Sequence, residues 1–362
     1  MFNPFSFLKQ QVTPTYLGID IGTTSIKVVE VIEGTAKPKI TNYGLLEAGG
    51  YLSHANKALQ TSTLKLFDQE VIELLRALIK TIKPQTNEVV ASFPAFGAFM
   101  TIIDLPDMSP AETKKAMDFQ APQYIPLPIS EVGYDYLKVG EFDDEQGFRH
   151  QQVLLFSITK ENMSKYQRIF KAAGLRLEAL EIESFSLARI LMNNDGTPTL
   201  IVDIGSRATN IVFVDKGQLK FSVQSDFAGA SLTQALATSL NINPLRAEEL
   251  KKQHGITLDP ANYELSTVML PILDGIINEV KKGLFTYAQQ FPKAPPVERM
   301  MISGGSANLH GIEPYFQTQF EFPIMKAAPF LHFEYPSTIE PLVPELNPVF
   351  SVALGLGARE FI

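Results

Sequence analysis

Two short segments of this chain carry residues suited to holding anionic oxygen. Asp20-Ile21-Gly22-Thr23-Thr24-Ser25 opens one, and Asp203-Ile204-Gly205-Ser206 opens the other. A glycine at the tip of a tight turn lets consecutive main-chain N–H groups converge on an anion as a backbone nest. The hydroxyls of Thr23, Thr24, Ser25 and Ser206 add donors. Asp20 and Asp203 would repel a bare phosphate, but they suit Mg²⁺ held through the water that this ion keeps. The chemistry that fits is the clamping of a polyphosphate and its metal from both sides.

The two segments align without a gap, Asp20 to Gly34 on Asp203 to Gly217. Each reads as a strand, a glycine turn and a second strand, a β-hairpin entered by residues 16–21 or 200–204. Chance or a purely structural turn would also produce so short a motif. The spacing of about half the chain, with similar elements after each copy, favours a duplicated fold. Two weaker signals follow. Glu248 and Lys251 stand at i, i+3, either as a surface ion pair worth a few tenths of a kcal/mol or as a pair reaching a ribose. Gly304-Gly305-Ser306 follows a strand at 299–303, either as a structural turn or as a place where a flat ligand approaches the backbone.

The elements around these residues alternate in type. Helices are expected at 69–82, from the capping box at Ser109 to about Tyr124, and at 160–173 and 184–193; strands are expected at 88–93, 99–105, 132–139, 151–158 and 175–181. The second half reads as helices at 230–240, 244–255 and 267–290, the strand at 299–303, a helix from about Leu309 and an apolar helix at 349–359. Strands and helices mixed in two similar halves predict an α/β fold.

Other chemistries are absent. The 362 residues contain no cysteine, which removes disulfides, thiolate metal sites and thiol nucleophiles. The five histidines (54, 150, 254, 310 and 332) are too far apart to pair as ligands. No Walker A, G-x-S-x-G or G-x-G-x-x-G motif occurs, and Asp143-Asp144-Glu145 reads as a solvated loop. A net charge of −8 disfavours nucleic acid as a partner. No uncharged stretch is apolar and long enough to span a bilayer, and the first residues lack a secretory pattern, so a cytoplasmic protein is expected.

The ordered set of two hairpins, Glu248-x-x-Lys251 and Gly304-Gly305 resembles the actin-like ATPase superfamily. Within it, YLGIDIGTTSIKVVEV, the central DLPDMSPAETKKAMDFQAPQYIPLPISEVGYDY and the closing ALGLGARE look like the PilM family of type IV pilus assembly proteins. The resemblance implies two related, RNase H-like halves around a nucleotide cleft, with an inserted subdomain of the 1C type. It divides the chain into a tail at 1–15, a first half at 16–97 with 175–197 and 348–362, an insert at 98–174, and a second half at 198–347 with a smaller subdomain at about 244–296. It implies ATP or ADP with Mg²⁺: phosphates at Gly22, Thr23, Thr24, Ser25, Lys27, Gly205, Ser206 and Thr209, ribose at Glu248 and Lys251, adenine at Gly304, Gly305 and Ser306, and the metal at Asp20 and Asp203.

The resemblance further implies a scaffold at the inner face of the cytoplasmic membrane. It would dock the short N-terminal tail of a PilN-like single-span protein between the first half and the insert, with self-association as a further property and membrane contact only through the partner. Two alternatives are an FtsA-like polymerising division protein and a sugar- or acetate-kinase-type phosphotransferase. The former ends in a basic amphipathic helix, whereas this chain closes on Gly357–Ile362 without one. The latter needs a carboxylate base, and the segment FPAFGAFMT after Ser92 offers none. Weak or no ATPase activity is therefore expected. The apolar start, with Phe2, Phe5, Phe7 and Leu8, reads as a loose terminus or a contact with membrane or partner.

Overall fold

The computed structural model describes residues 15–47, 65–257 and 263–362. Apart from Thr15, the expected tail lies outside them. Two five-stranded sheets have the same topology. The first is ordered β3-β2-β1-β4-β8, from β1 (Thr15–Ile21), β2 (Ser25–Ile32), β3 (Lys39–Glu47), β4 (Glu88–Phe93) and β8 (Arg176–Ile182). The second is β11-β10-β9-β12-β13, from β9 (Thr199–Ile204), β10 (Thr209–Asp215), β11 (Gln218–Ser225), β12 (Arg299–Ser303) and β13 (Ile324–Lys326). The hairpin alignment thus marks a duplication of whole sheets, each with three antiparallel strands followed by parallel ones.

Helices cover both faces of each sheet, because β1 and β9 are apolar on both sides. On the outer face of the first sheet, α1 (Lys65–Ile82) and α3 (Lys160–Ala172) bury Val71, Leu75, Tyr166, Ile169 and Phe170 against Leu17, Ile19 and Val89. On the outer face of the second, α5 (Gly229–Leu240), α6 (Pro244–His254), α7 (Tyr263–Gln290) and α8 (Ile312–Gln317) cover Leu200, Val202 and Phe213. Between the sheets lie α4 (Glu183–Met192) and α9 (Val343–Gly357), in one core containing Val29, Val90, Leu187, Ile201, Val212 and Leu354. Gly18 lets α9 touch β1: an added Cβ would lie 2.1 Å from the Ala353 carbonyl oxygen. Among the described residues, no helix is long and apolar enough to cross a membrane.

The insert is a three-stranded sheet, β5-β7-β6, from β5 (Phe99–Pro106), β6 (Val132–Asp143) and β7 (Arg149–Thr159). Its helix α2 (Pro110–Tyr124) starts at the expected capping box, with Ser109 Oγ accepting from the Glu112 N–H and Glu112 accepting from the Ser109 N–H. Alternation along β7 sends Val153 and Leu155 toward Met117 and Ala121 of α2, and Leu154 toward the central core. Helix α3 belongs elsewhere. Its apolar stripe packs on the first sheet beside α1, so the insert closes at Thr159 rather than at residue 174. The final helix begins at Val343, earlier than expected, because Pro344 falls in its first turn, where a missing N–H costs nothing.

Candidate functional site

The two hairpin turns are closed by the same bond. The Gly22 N–H donates to the Ser25 carbonyl at 2.9 Å, and the Gly205 N–H donates to the Ala208 carbonyl at 3.0 Å. Beside each turn the strands bring three side chains together. Asp20 faces Lys27 across the β1–β2 ladder, and Lys27 Nζ donates to Asp20 Oδ2 at 2.9 Å. Ser92, on the parallel strand β4, donates to Asp20 Oδ1 at 2.9 Å while accepting from the Ile21 N–H. In the second half Asp203 faces Asn210 on β10, and Ser303 of the parallel strand β12 is in register with Asp203, its hydroxyl donating to the Pro348 carbonyl at 3.2 Å. Asp20–Lys27–Ser92 and Asp203–Asn210–Ser303 are therefore repeated triads.

Glu183, the first residue of α4, joins the two. Asn210 Nδ2 donates to Glu183 Oε2 at 2.9 Å, a bond from the second sheet to a helix that follows the first. Burial, with Asp20 and Asp203 nearby, pushes the Glu183 carboxyl up to about 8, against the opposing pull of Asn210 and Lys27. Burial also raises Asp203, to about 6; the neighbouring Ser303 hydroxyl and Lys27 oppose this, while Asp20 adds to it. Burial opposes the charge of Lys27, but Asp20, with Asp203 and Glu183, outweighs it and raises the amine.

The second turn is held from behind. The Gly229 N–H, at the start of α5, donates to the Gly205 carbonyl at 3.0 Å, and the Ala230 N–H donates to the Ser206 carbonyl at 2.7 Å. Ser306 Oγ lies 3.5 Å from the same Gly205 carbonyl. Gly304 has φ +85°, and an added Cβ would fall 2.4 Å from the Ile204 carbonyl oxygen, so β12 leaves the sheet tightly against β9. Gly305 has open space where a side chain would be.

Most of the expected residues thus come together. Gly22, Ser25, Lys27, Asp20, Asp203, Gly205, Ser206, Gly304, Gly305 and Ser306 cluster at the strand ends of the two sheets, with Thr23 and the exposed Thr24 on the rim of the first turn. Three differ. The Thr209 hydroxyl is fully buried and donates to the Phe227 carbonyl at 2.7 Å, supporting the loop before α5 instead of facing a phosphate. Glu248 and Lys251 pair at 2.6 Å, and Lys251 is buried against α5 instead of open on the surface. Ser92, Asn210, Ser303 and Glu183 were not evident from motifs. The first three carry a usable signal, since each stands beside an aspartate of the repeat; Glu183 carries none. No group of three or more His, Asp or Glu at ligand spacing occurs among the described residues. The buried Asn210 Oδ1, which has no hydrogen-bond partner, is a further acceptor beside Asp203.

Two like sheets, each with a hairpin turn beside a buried aspartate, define an actin-like ATPase fold. Residues 18–361 match the family model described as type IV pilus assembly protein PilM, and the chain belongs to that family. Its relatives include the cell division protein FtsA of Pseudomonas aeruginosa, 19% identical over 94% of this chain and 88% of that one. They also include the ethanolamine utilization protein EutJ of Escherichia coli, 25% identical over 42% and 48%. Among solved structures, a PilM–PilN type IV pilus biogenesis complex superposes with TM-score 0.79 at 22% identity, covering 95% of this chain and 98% of that one. MreB5 of Spiroplasma citri bound to AMPPNP superposes at 0.51 and 14% identity, covering 95% of each.

Proposed function

We propose that the protein is an ATP-binding actin-like scaffold of a type IV pilus or related inner-membrane assembly platform, docking the cytoplasmic N-terminal tail of a PilN-like single-span protein. The observation that carries the nucleotide reading is the duplicated Asp–Lys/Asn–Ser triad behind two glycine turns. Backbone N–H groups at both turns, with Lys27, would hold phosphate oxygens; the open face of Gly305 would admit the adenine. Mg²⁺, when bound, would neutralise phosphate charge, with Asp20 and Asp203 orienting its waters and Asn210 Oδ1 accepting from them. Family membership and the likeness to a PilM–PilN complex support the partner. So does the apolar surface of the insert, where Phe119, Tyr124, Leu127 and Ile129 are exposed.

The segment after Ser92 offers no carboxylate base, so weak or no ATPase activity is expected. Phosphate release below roughly 1 s⁻¹ fits a scaffold, and faster release fits a phosphotransferase or dedicated ATPase. The test is calorimetric titration of the full chain with ATP·Mg²⁺, then with a synthetic partner tail. Heat from both supports the reading, and a folded protein that binds neither overturns it.

A further inference from the structure

A cavity of about 310 Å³ lies on the seam where the insert meets the second half, at the low end of the range for small-molecule sites. It sits beside Asp215, at the far end of β10 from the Gly205–Ser206 turn. One wall comes from β5, β6 and β7 of the insert, the other from the β10–β11 hairpin and the chain leaving α7. Three side chains cross the seam to main-chain carbonyls. Lys220 donates to Val139, Lys293 donates to Asp143 at 2.5 Å, and Gln152 donates to Gln290 at 3.3 Å.

Lys220 is the buried cation of this cavity. It is 6% exposed, and an ammonium has three protons to donate. The Val139 carbonyl takes one. Asp215 Oδ2 stands 3.8 Å away, beyond hydrogen-bond length. Burial lowers the amine, opposed by Asp215 and helped by Lys216. A buried charge with so few partners is costly, and an anion in the cavity would supply what is missing. The neighbouring charges favour that sign. Lys216, exposed on the hairpin turn, and Lys293, exposed on the opposite rim, add two ammonium groups. Glu141 is already held by Lys138 at 2.7 Å and by Arg149, and Asp104 accepts from Gln152 at 3.1 Å. Among the described acids of the lining, that leaves Asp215 to face three lysines.

We propose that the seam cavity binds one small oxyanion, a carboxylate or a phosphate group, on Lys220, with Lys216 and Lys293 at its rim. Because the two walls belong to different units, the bound anion would tie the insert to the second half. The site is independent of the nucleotide reading, which concerns the opposite end of the strands.

The test uses the full chain, Lys220→Met and Lys293→Gln, with inorganic phosphate and acetate as probes. Melting temperature is followed against each anion, with chloride at matched ionic strength as the reference. Hydrogen–deuterium exchange is read at residues 139–143 and 215–220, with and without the probe. In the wild type, one or both anions raise the melting temperature to a plateau and slow exchange on both walls. The anion acting at the lower concentration identifies the head group. In Lys220→Met the midpoint concentration rises at least tenfold, the scale of one lost charge-assisted hydrogen bond, and wall protection disappears. Lys293→Gln, on the rim, moves the midpoint by about threefold. Any phosphate held at the Gly22 and Gly205 turns is common to all three proteins, so the differences between them report the seam. A wild type without a saturable rise overturns the proposal, and so does an unchanged midpoint in Lys220→Met. Protection confined to residues 22–25 and 205–208 also overturns it while supporting the nucleotide cleft. If Lys220→Met does not fold, an unshifted midpoint in Lys293→Gln overturns it instead.

Discussion

Lys27 and Asn210 hold the same position in the two hairpins, yet their side chains go different ways. Each faces the aspartate of its own triad across an antiparallel ladder. Lys27 donates to that aspartate, Asp20, whereas Asn210 donates to Glu183. The first triad thus has its own positive charge, and the second has none. Asp203 and Glu183 are left as surplus acids that keep their protons to higher pH than usual. A duplicated backbone has become an unsymmetrical site, which on the proposed reading would favour phosphate beside Lys27 and a hydrated cation beside Asp203.

This asymmetry makes the folded chain pH-sensitive. Glu183 titrates near 4.5 when unfolded and near 8 when buried in the folded chain, so the native state binds more protons between those values. Stability contributed by the protonated group is fully present below about 4.5 and is lost as pH rises through about 8. Without nucleotide and Mg²⁺, the wild type is expected to melt at falling temperature from pH 5 to pH 8. Glu183→Gln, which keeps the hydrogen bond to Asn210, is expected to flatten that slope and melt several degrees higher at pH 8. Parallel melting curves for the two proteins across that range would show that Glu183 does not carry the linkage.

The Lys27–Asp20 pair is mostly out of water, with side chains 15% and 7% exposed. Removing one partner from such a pair leaves a charge without its counter-ion, a loss on the order of 3 kcal/mol. Lys27→Met is expected to lower the melting temperature and to weaken ATP binding at least tenfold. Asp20→Asn in the same background should recover part of the stability but none of the affinity, since the phosphate contact would still be missing. Recovery of ATP binding in the double variant would remove Lys27 from the phosphate site.

The hairpins, the capping-box helix and the long helix α7 were legible because local rules specify them: an Asp-x-Gly turn, Ser109-Pro110-Ala111-Glu112, and apolar residues at helical spacing. Strands β3 and β11 were not picked out, since both mix buried and half-exposed positions without clean alternation. Helix α3 is legible as a helix, but periodicity gives a stripe and not the surface it covers, which is the first sheet. Lys251 shows the same limit at the site. An i, i+3 Glu–Lys spacing fits a solvated pair or a ligand contact, and only the packing of α5 against α6 shows that Lys251 is buried.

The insert has a small core of its own, in which Met117 of α2 is fully buried among Ile103, Leu105, Val153 and Leu155. Met117→Ala removes a large side chain there, a change that costs about 2–5 kcal/mol in well-packed cores. Because that core is separate from the one under the hairpins, the variant is expected to weaken binding of the partner-tail peptide severalfold while ATP affinity stays within about twofold. The two titrations on one sample check this; equal losses in both would mean that the insert and the cleft melt as one unit.

Two glycines separate fold from ligand. At Gly18 a methyl group would meet the Ala353 carbonyl oxygen at 2.1 Å and the Gly357 nitrogen at 2.5 Å, both backbone atoms of α9. Gly18→Ala must push α9 off β1 and is expected to cost about 3 kcal/mol or more. At Gly305 nothing lies within 4 Å of the same methyl group. Gly305→Ala is therefore expected to leave the melting temperature within about two degrees of the wild type, in line with a small surface change. If the base lies against this backbone, the methyl group occupies its place, and affinity for ATP and adenosine should fall together by about tenfold or more. Unchanged affinity for both would move the adenine away from Gly305.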